Sequence, residues 1–359
     1  MRIDQVVPSL ASRDAIGVHT VALSTALRRA GFESEIYYGN CTADVAHHGH
    51  PIVELGRSRH DRWLLYQASI GSPVYDILAT RSEPKLVNYH NITPAALLEG
   101  WAPEVCYEAR LGRAQLERLA PYTRLAVADS AFNEAELKAI GYDATAVCPL
   151  LIDMAASGVD PDPQTTERLQ AAKEQGGADL LFVGKISPHK APHDLVKMLA
   201  VLRRLYDPKA RLHLVGSPLG ERYRPALESF VADLGLDKAV TMTGSVSPSE
   251  LESYYRAADV FTCASEHEGF CVPLVEAMAH GVPVVAYAAT AVPETLDDAG
   301  ILLEDKSPLR FAAAVARVIE DDALRAVLGA AGHARAASFR LDDSRQRFVE
   351  LIRAAVDCP

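Results

Sequence analysis

Ser265-Glu266-His267-Glu268-Gly269-Phe270-Cys271-Val272-Pro273-Leu274-Val275-Glu276-Ala277-Met278-Ala279-His280-Gly281 is the stretch on which the reading of this chain turns. Before it stands Asp259-Val260-Phe261-Thr262-Cys263 and after it Pro283-Val284-Val285-Ala286-Tyr287, two short apolar runs of the kind that become buried strands. Between them the residues predict a loop running into a short helix, with Pro273 in the first turn and Gly281 at the C-terminal cap. Such a loop delivers the backbone N–H groups near Phe270, Cys271 and Val272 to the carboxyl end of a strand. Orphan donors and helix dipole then point the same way, which is an anion-binding arrangement. Two carboxylates, Glu268 and Glu276, flank it. Acids beside an anion site repel the anion, so they suit uncharged hydroxyls, and a ligand with phosphate in the middle and hydroxyls at both ends is a sugar nucleotide.

Seven residues separate Glu268 from Glu276. The pair is embedded in E-G-F-C-V-P-L-V-E-A-M-A-H-G-V-P-V-V-A, which resembles the E-x7-E signature of retaining glycosyltransferases, with family 4 the nearest match. The resemblance covers nearly the whole chain and is most specific over residues 180–300. It implies the GT-B fold, an α/β architecture of two Rossmann-like domains facing each other across a cleft, with a C-terminal helix crossing back to the N-terminal domain. The expected organisation is an acceptor-side domain over 1–155, a linker over 156–178, a nucleotide-sugar domain over 179–340 and the crossover helix over 341–359.

Composition agrees with that scale. The chain has 359 residues, long for one core and comfortable for two domains. Hydrophobic residues make up 49% and charged residues 23%, an ordinary globular balance. A formal net charge of -11 argues against a general nucleic-acid binder. Cys41, Cys106, Cys148, Cys263, Cys271 and Cys358 are scattered, with no C-x-x-C pair and no zinc spacing. Cys148 and Cys263 fall in strand-like runs and read as buried thiols. With no apolar signal region after Met1 and no run of about 18 uncharged apolar residues, a cytoplasmic protein is expected, peripheral membrane contact being left open.

The N-terminal half opens as strand, loop, helix, strand: Ile3 to Pro8, a loop through Gly17, a helix from Val18 to about Arg29, then Ser34 to Tyr38. This is the start of a doubly wound domain, whose ligands gather at the carboxyl ends of strands. Gly17 either lets the backbone approach a phosphate closely or simply permits a tight turn. Arg57, Arg59, Arg62, Trp63 and Tyr66 form a basic, partly aromatic stretch, read as a solvated helix face ahead of a contact to an acidic acceptor or lipid headgroups. Lys85 to Tyr89 reads as a strand that ends at His90, in Y-H-N-I-T-P. Pro103 to about Leu119 is an amphipathic helix carrying Arg110, Arg113 and Arg118, placed on the acceptor side. Asp129 and Ser130 read first as caps of the next helix.

The second half restarts with Asp179-Leu180-Leu181-Phe182-Val183-Gly184-Lys185-Ile186-Ser187-Pro188-His189-Lys190, a strand ending in a loop with two lysines. Ala239 to Thr243 is a further strand, and Ser247 or Ser249 after it suits a helix N-cap. The resemblance adds roles. Lys185 stands where the family usually has an arginine and Lys190 where it has a lysine, both on the donor diphosphate. Gly17, Gly184, Val246, Gly269, Phe270, Cys271 and Val272 become donor-binding positions, Val246 beside the nucleobase. Glu276 holds the ribose, Glu268 the ring hydroxyls of the sugar, and His90 sits beside the transferred sugar.

The implied reaction moves a hexose-type group from a nucleoside diphosphate sugar to an acceptor hydroxyl of a glycan, lipid or small molecule, with retention. No nucleophile stands out in the sequence, and same-face attack is what the resemblance to the family implies. UDP is the first expectation for the base and GDP the second. No D-x-D motif lies near the signature, and two ammonium groups can replace a divalent ion, so no metal is expected. A sugar-nucleotide epimerase, a sugar phosphorylase or synthase, and a non-enzymatic sugar or nucleotide binder are the rivals. Oligomeric state is not legible.

Overall fold

A computed structural model describes residues 1–12, 14–153 and 159–357. Arg13 of the first loop, the opening residues of the expected linker and Cys358 lie outside the described residues. The chain divides into two compact units, each built on its own parallel sheet. One comprises residues 1–95, 104–153 and 340–359, the other 96–103 and 154–339.

In the N-terminal unit the elements are β1 (Arg2–Leu10), α1 (Ala15–Arg29), β2 (Ile36–Cys41), β3 (His50–Pro51), β4 (Arg62–Ala68), α2 (Val74–Ala79), β5 (Lys85–Tyr89), α3 (Pro103–Leu119), β6 (Thr123–Ala128), α4 (Ala131–Ala139) and β7 (Thr145–Val147). They form a seven-stranded sheet in the order β3-β2-β1-β4-β5-β6-β7, paired parallel throughout. The order reverses between β1 and β4, the switch point at which doubly wound sheets collect ligands. Parallel strands are covered on both faces, so β4 and β5 are apolar runs rather than alternations.

The expected solvated helix face over Arg57–Tyr66 is corrected here. Residues Arg62–Ala68 are a central strand, and Arg62 is buried. Its guanidinium lies 2.6 Å from Glu83 and 3.6 Å from Asp4. Pairing at the start of this central strand, not solvation, accounts for this arginine. The basic residues around it disguised the run Trp63-Leu64-Leu65-Tyr66.

In the other unit the elements are α5 (Pro163–Glu174), β8 (Asp179–Val183), α6 (Pro192–Leu205), β9 (Arg211–Val215), α7 (Tyr223–Asp233), β10 (Val240–Gly244), α8 (Pro248–Ala257), β11 (Val260–Cys263), α9 (Val272–Ala279), β12 (Val284–Tyr287), α10 (Val292–Leu296), β13 (Ile301–Leu303), α11 (Pro308–Glu320) and α12 (Asp322–Ala336). The sheet order β10-β9-β8-β11-β12-β13 again reverses once, between β8 and β11. Leu180, Phe182, Leu212, Leu214, Val260 and Val285 form its apolar middle beneath α6 and α11. The stretch expected as linker contains a helix of its own, α5, started by Asp162, whose carboxylate accepts from Thr165 N–H at 2.7 Å, and by Pro163 in the first turn.

Two segments depart from sequence order. Ala96–Pro103 packs in the C-terminal unit, with the Trp101 ring edge-on to Tyr223 at 5.3 Å. The last helix, α13 (Leu341–Asp357), belongs to the N-terminal unit, as the fold expectation held. There Phe348 and Ile352 are fully buried among Ile3, Leu27, Leu65 and Val127, and the Cys148 thiol donates to Ser344 O at 3.4 Å. Burying one such side chain is worth roughly 1.5–3 kcal/mol, which suffices to anchor the helix. Among the described residues no helix is long and apolar enough to cross a membrane.

Candidate active site

The loops that follow β8 and β11, the two strands at the switch point of the C-terminal sheet, carry most of the residues singled out by sequence. Gly184 and Lys185 lie just past β8, with Gly184 at φ 152, outside the ordinary range of side-chain-bearing residues. Lys185 is exposed. Lys190 closes a short turn, and its Nζ lies 2.5 Å from Glu268 Oε2 on the other loop, across 78 positions of sequence. Glu268 is buried and Lys190 half-buried. Burial pulls the Lys190 ammonium down, but the Glu268 carboxylate more than offsets this and its pKa stands above the ordinary lysine value. The pairing was not visible in sequence, where the two residues had separate roles.

Beyond Glu268 the chain turns sharply. Cys271, the residue before α9, sits in the left-handed region at φ 71 and ψ 66 and caps the helix with no side-chain hydrogen bond. The N–H groups of Phe270, Cys271 and Val272 therefore precede or open the helix, outside its internal ladder. Two threonines staple this turn. Thr290 Oγ1 accepts from Glu268 N–H at 2.8 Å and donates to its carbonyl at 2.9 Å, while Thr295 Oγ1 donates to Phe270 O at 2.5 Å. Both lie on the far side of β12, and local sequence carried no sign of the role. Gly269 falls between the stapled residues.

Glu276 accepts from Tyr255 OH at 2.7 Å. Burial pushes its pKa above the ordinary carboxyl value, and the tyrosine bond with nearby His280 offsets only part of that. His280 stacks on Tyr255, ring centroids 4.8 Å apart, and reaches Glu252 at 2.9 Å. Glu266, at the start of the signature, is held by Lys306, whose Nζ lies 2.5 Å from it and 2.7 Å from Asp194. Val246 is half-buried after β10, and Ser247 beside it forms a capping box with Glu250, at 2.7 and 3.2 Å. One further cluster is unexpected: Cys263, Glu268 and Cys271 are all buried and place one ligand-capable atom each within 4.8 Å of one another. The hydrogen bond between the two thiols lowers Cys263, while the same bond and, after it, burial hold Cys271 up.

The N-terminal unit holds the other candidates. His90 follows β5 directly, and its ring is enclosed: Nδ1 is 3.0 Å from Asp129 Oδ2 and Nε2 is 2.7 Å from Gln67 Oε1. The neighbours decide the polarity of this chain. Gln5 Nε2 donates to Thr20 O at 2.9 Å, so its Oε1 accepts from Gln67 Nε2 at 2.6 Å, so Gln67 presents Oε1 to the imidazole. Nε2 of His90 is thereby a donor. Asp129, expected as a helix cap, orients His90 instead, and Ser130 alone caps α4, accepting from Asn133 N–H at 3.2 Å. His19 meets His90 edge-on at 4.9 Å and accepts from Leu151 N–H at 2.9 Å; burial and the second imidazole keep it neutral, well below the usual histidine range.

Gly17 lies inside α1, not in the loop before it. A Cβ there would come within 2.1 Å of Ala11 O, so the space that glycine leaves is filled by the chain's own backbone. That explains the glycine without a ligand. Arg113, expected on the acceptor side, is bound to Ile92 O and lies 3.0 Å from Glu136.

Comparison with known proteins follows the same lines. Residues 163–335 match the model of the family Glycosyl transferases group 1. The D-inositol 3-phosphate glycosyltransferase of Kineococcus radiotolerans is 33% identical over 279 residues, covering 73% of this chain and 63% of that protein. Its counterpart in Corynebacterium kroppenstedtii is 31% identical over 228 residues, covering 60% of this chain and 50% of the relative. The chain thus spans about half to two thirds of the length of these relatives. Among solved structures, Anabaena Alr3699/HepE in complex with UDP and glucose superposes with a TM-score of 0.77 at 18% identity, covering 99% of this chain and 100% of the other. This last likeness places the fold among GT-B proteins.

Proposed function

We propose, for a chain that belongs to the group 1 glycosyl transferases, that it moves a hexose-type sugar from a nucleoside diphosphate sugar to an acceptor hydroxyl with retention of configuration and without a metal ion. The observation that carries the reading is the meeting of Lys190 and Glu268 at 2.5 Å on the two switch-point loops, beside the opening turn of α9. When the donor breaks, charge develops on the β-phosphate. Cations and N–H groups already aimed at it stabilise that charge without reorganising. Lys190, Lys185 and the N–H groups of Phe270, Cys271 and Val272 are the proposed set, each donor worth on the order of 3 kcal/mol in the barrier.

Glu268 then has two partners in turn. It holds Lys190 at rest and accepts from the hydroxyls of the sugar when the lysine swings to phosphate. Glu276, already bonded to Tyr255, takes the ribose, and the turn at Val246 the base. UDP is proposed as the base carrier ahead of GDP; the likeness to a UDP-bound protein supports that order. In the N-terminal unit His90 is the proposed catalytic group, aligned by Asp129 and Gln67. Attack on the same face as the leaving group is proposed, and the acceptor is left as a glycan, lipid or small-molecule hydroxyl. The unpaired thiols Cys41, Cys106, Cys148, Cys263 and Cys271 support a reducing, cytoplasmic setting.

The test incubates UDP- and GDP-sugars with a panel of acceptors in the presence of a chelator and reads the anomer of the product. A retained glycoside formed in chelator supports the proposal. Strict need for magnesium or manganese refutes the lysine role. An epimer formed from donor alone replaces transfer with epimerisation, and donor recovered unchanged with every acceptor, despite binding, points to a non-enzymatic binder.

A further inference from the structure

Cys263 ends β11, Glu268 lies in the loop beyond it, and Cys271 caps α9. Their exposures are 1%, 6% and 7%, so the cluster is inside the protein rather than on an acidic surface. The left-handed backbone of Cys271 turns this residue back toward the strand it came from, and one thiol of each cysteine and one carboxylate oxygen fall within 4.8 Å of one another. We propose that these three residues form a site for a thiophilic divalent cation, zinc by chemical class, distinct from the metal-free transfer reaction and opposed to it.

Three arguments carry it. The first is geometric. Zinc takes thiolate at about 2.3 Å and carboxylate at about 2.0–2.2 Å, which in a tetrahedron puts ligand atoms roughly 3.5–3.8 Å apart. The triad lies within about an ångström of that, a closure that side-chain rotation can supply. The second is the ligand set. Two sulfurs with one carboxylate discriminate against magnesium and calcium, which take oxygen, and three protein ligands leave one position open.

The third is electrostatic. Written with both cysteines as thiols and the Lys190–Glu268 ion pair in place, the buried group sums to a net charge of zero. Zinc enters as 2+, two S–H bonds break, two protons leave to solvent, and two Zn–S bonds form. Two thiolates, one carboxylate, one ammonium and one zinc again sum to zero. No uncompensated charge is buried by the exchange, which removes the usual obstacle to putting an ion there.

The consequence rests on the proposed function. A Glu268 oxygen bound to zinc is no longer available to Lys190 or to the donor sugar, so zinc inhibits transfer.

Binding is measured first, without the reaction. The full chain is titrated with zinc against a chromophoric chelator, and with cobalt(II) as a spectroscopic substitute. One zinc per chain and a sulfur-to-cobalt charge-transfer band are expected. Cys263→Ser and Cys271→Ser each weaken zinc by more than the 10–100-fold that loss of a mere outer-shell partner costs. Cys106→Ser, a buried thiol in the N-terminal unit, leaves it unchanged. Wild-type protein saturated with cobalt that shows no such band overturns the site, whatever the variants do. So does undiminished zinc affinity in the C263S/C271S double variant. In the transfer assay zinc inhibits wild type and spares Cys263→Ser, each rate being read against the same protein without zinc. Tight zinc binding to Cys263 and Cys271 without inhibition keeps the metal site and removes Glu268 from the reaction, which separates failure of the two readings.

Discussion

Replacing Lys190 by alanine tests the pairing at the centre of the site, and the structure makes the outcome more specific than loss of activity. The Lys190 side chain is 21% exposed and that of Glu268 7%. Removing the ammonium strands a buried carboxylate. Breaking a buried pair from one side costs about 3–5 kcal/mol, and the residual access of water around Lys190 brings the expectation below that range, to about 2–3 kcal/mol. For a unit of this size that is a fall of roughly 5–10 °C in melting temperature. Glu268→Ala in the Lys190→Ala background removes the stranded charge, so the double variant recovers most of the lost stability. Transfer does not recover, because a phosphate-facing cation worth on the order of 3 kcal/mol, about a hundredfold in kcat/KM, is missing in both. The assay pairs thermal unfolding of wild type, both single variants and the double variant with initial rates at subsaturating donor. A double variant no more stable than Lys190→Ala refutes the stranded-carboxylate reasoning. Wild-type turnover in Lys190→Ala or Glu268→Ala removes the site.

Two further outcomes follow. Gly17→Ala drives a methyl into Ala11 O, so it destabilises the N-terminal unit by about 1–3 kcal/mol; unchanged melting with weakened nucleotide affinity would instead return Gly17 to the donor site. Glu276→Gln is read against pH. The folded carboxyl titrates above its unfolded value, so ionising it opposes folding: the native state gains stability as pH falls through the interval between the raised value and the ordinary one, and the penalty is present above that interval. The glutamine variant is therefore more stable than wild type at neutral pH, equal to it near the ordinary carboxyl pKa, and weaker in nucleotide binding. A pH-independent difference between the two proteins contradicts the assigned burial.

Much of this molecule was legible because the signals are local. Val260–Cys263 and Val284–Tyr287 are short apolar runs, Pro273 and Gly281 punctuate α9, and a helix following nearly every strand leaves little choice but parallel sheets. Where a local signal was overlaid by another, the reading failed: arginines at 57, 59 and 62 hid a buried strand, and Asp162-Pro163 opened a helix inside what looked like a linker.

By itself, then, the sequence determined two Rossmann-like units and the loop that presents Glu268, Phe270, Cys271 and Val272 at a strand's end. Only the tertiary structure decided that Lys190 and Glu268 neutralise each other, that Asp129 and Gln67 enclose His90, that Ala11 fills the space of Gly17, and that Cys263 and Cys271 converge on one carboxylate. The physical reason is the range of the forces. Hydrophobic period and backbone punctuation are written over a few neighbouring residues. Pairing of charges and thiols depends on distances between side chains far apart in the chain, and no distance of that kind exists until the sheet has brought its strand ends together.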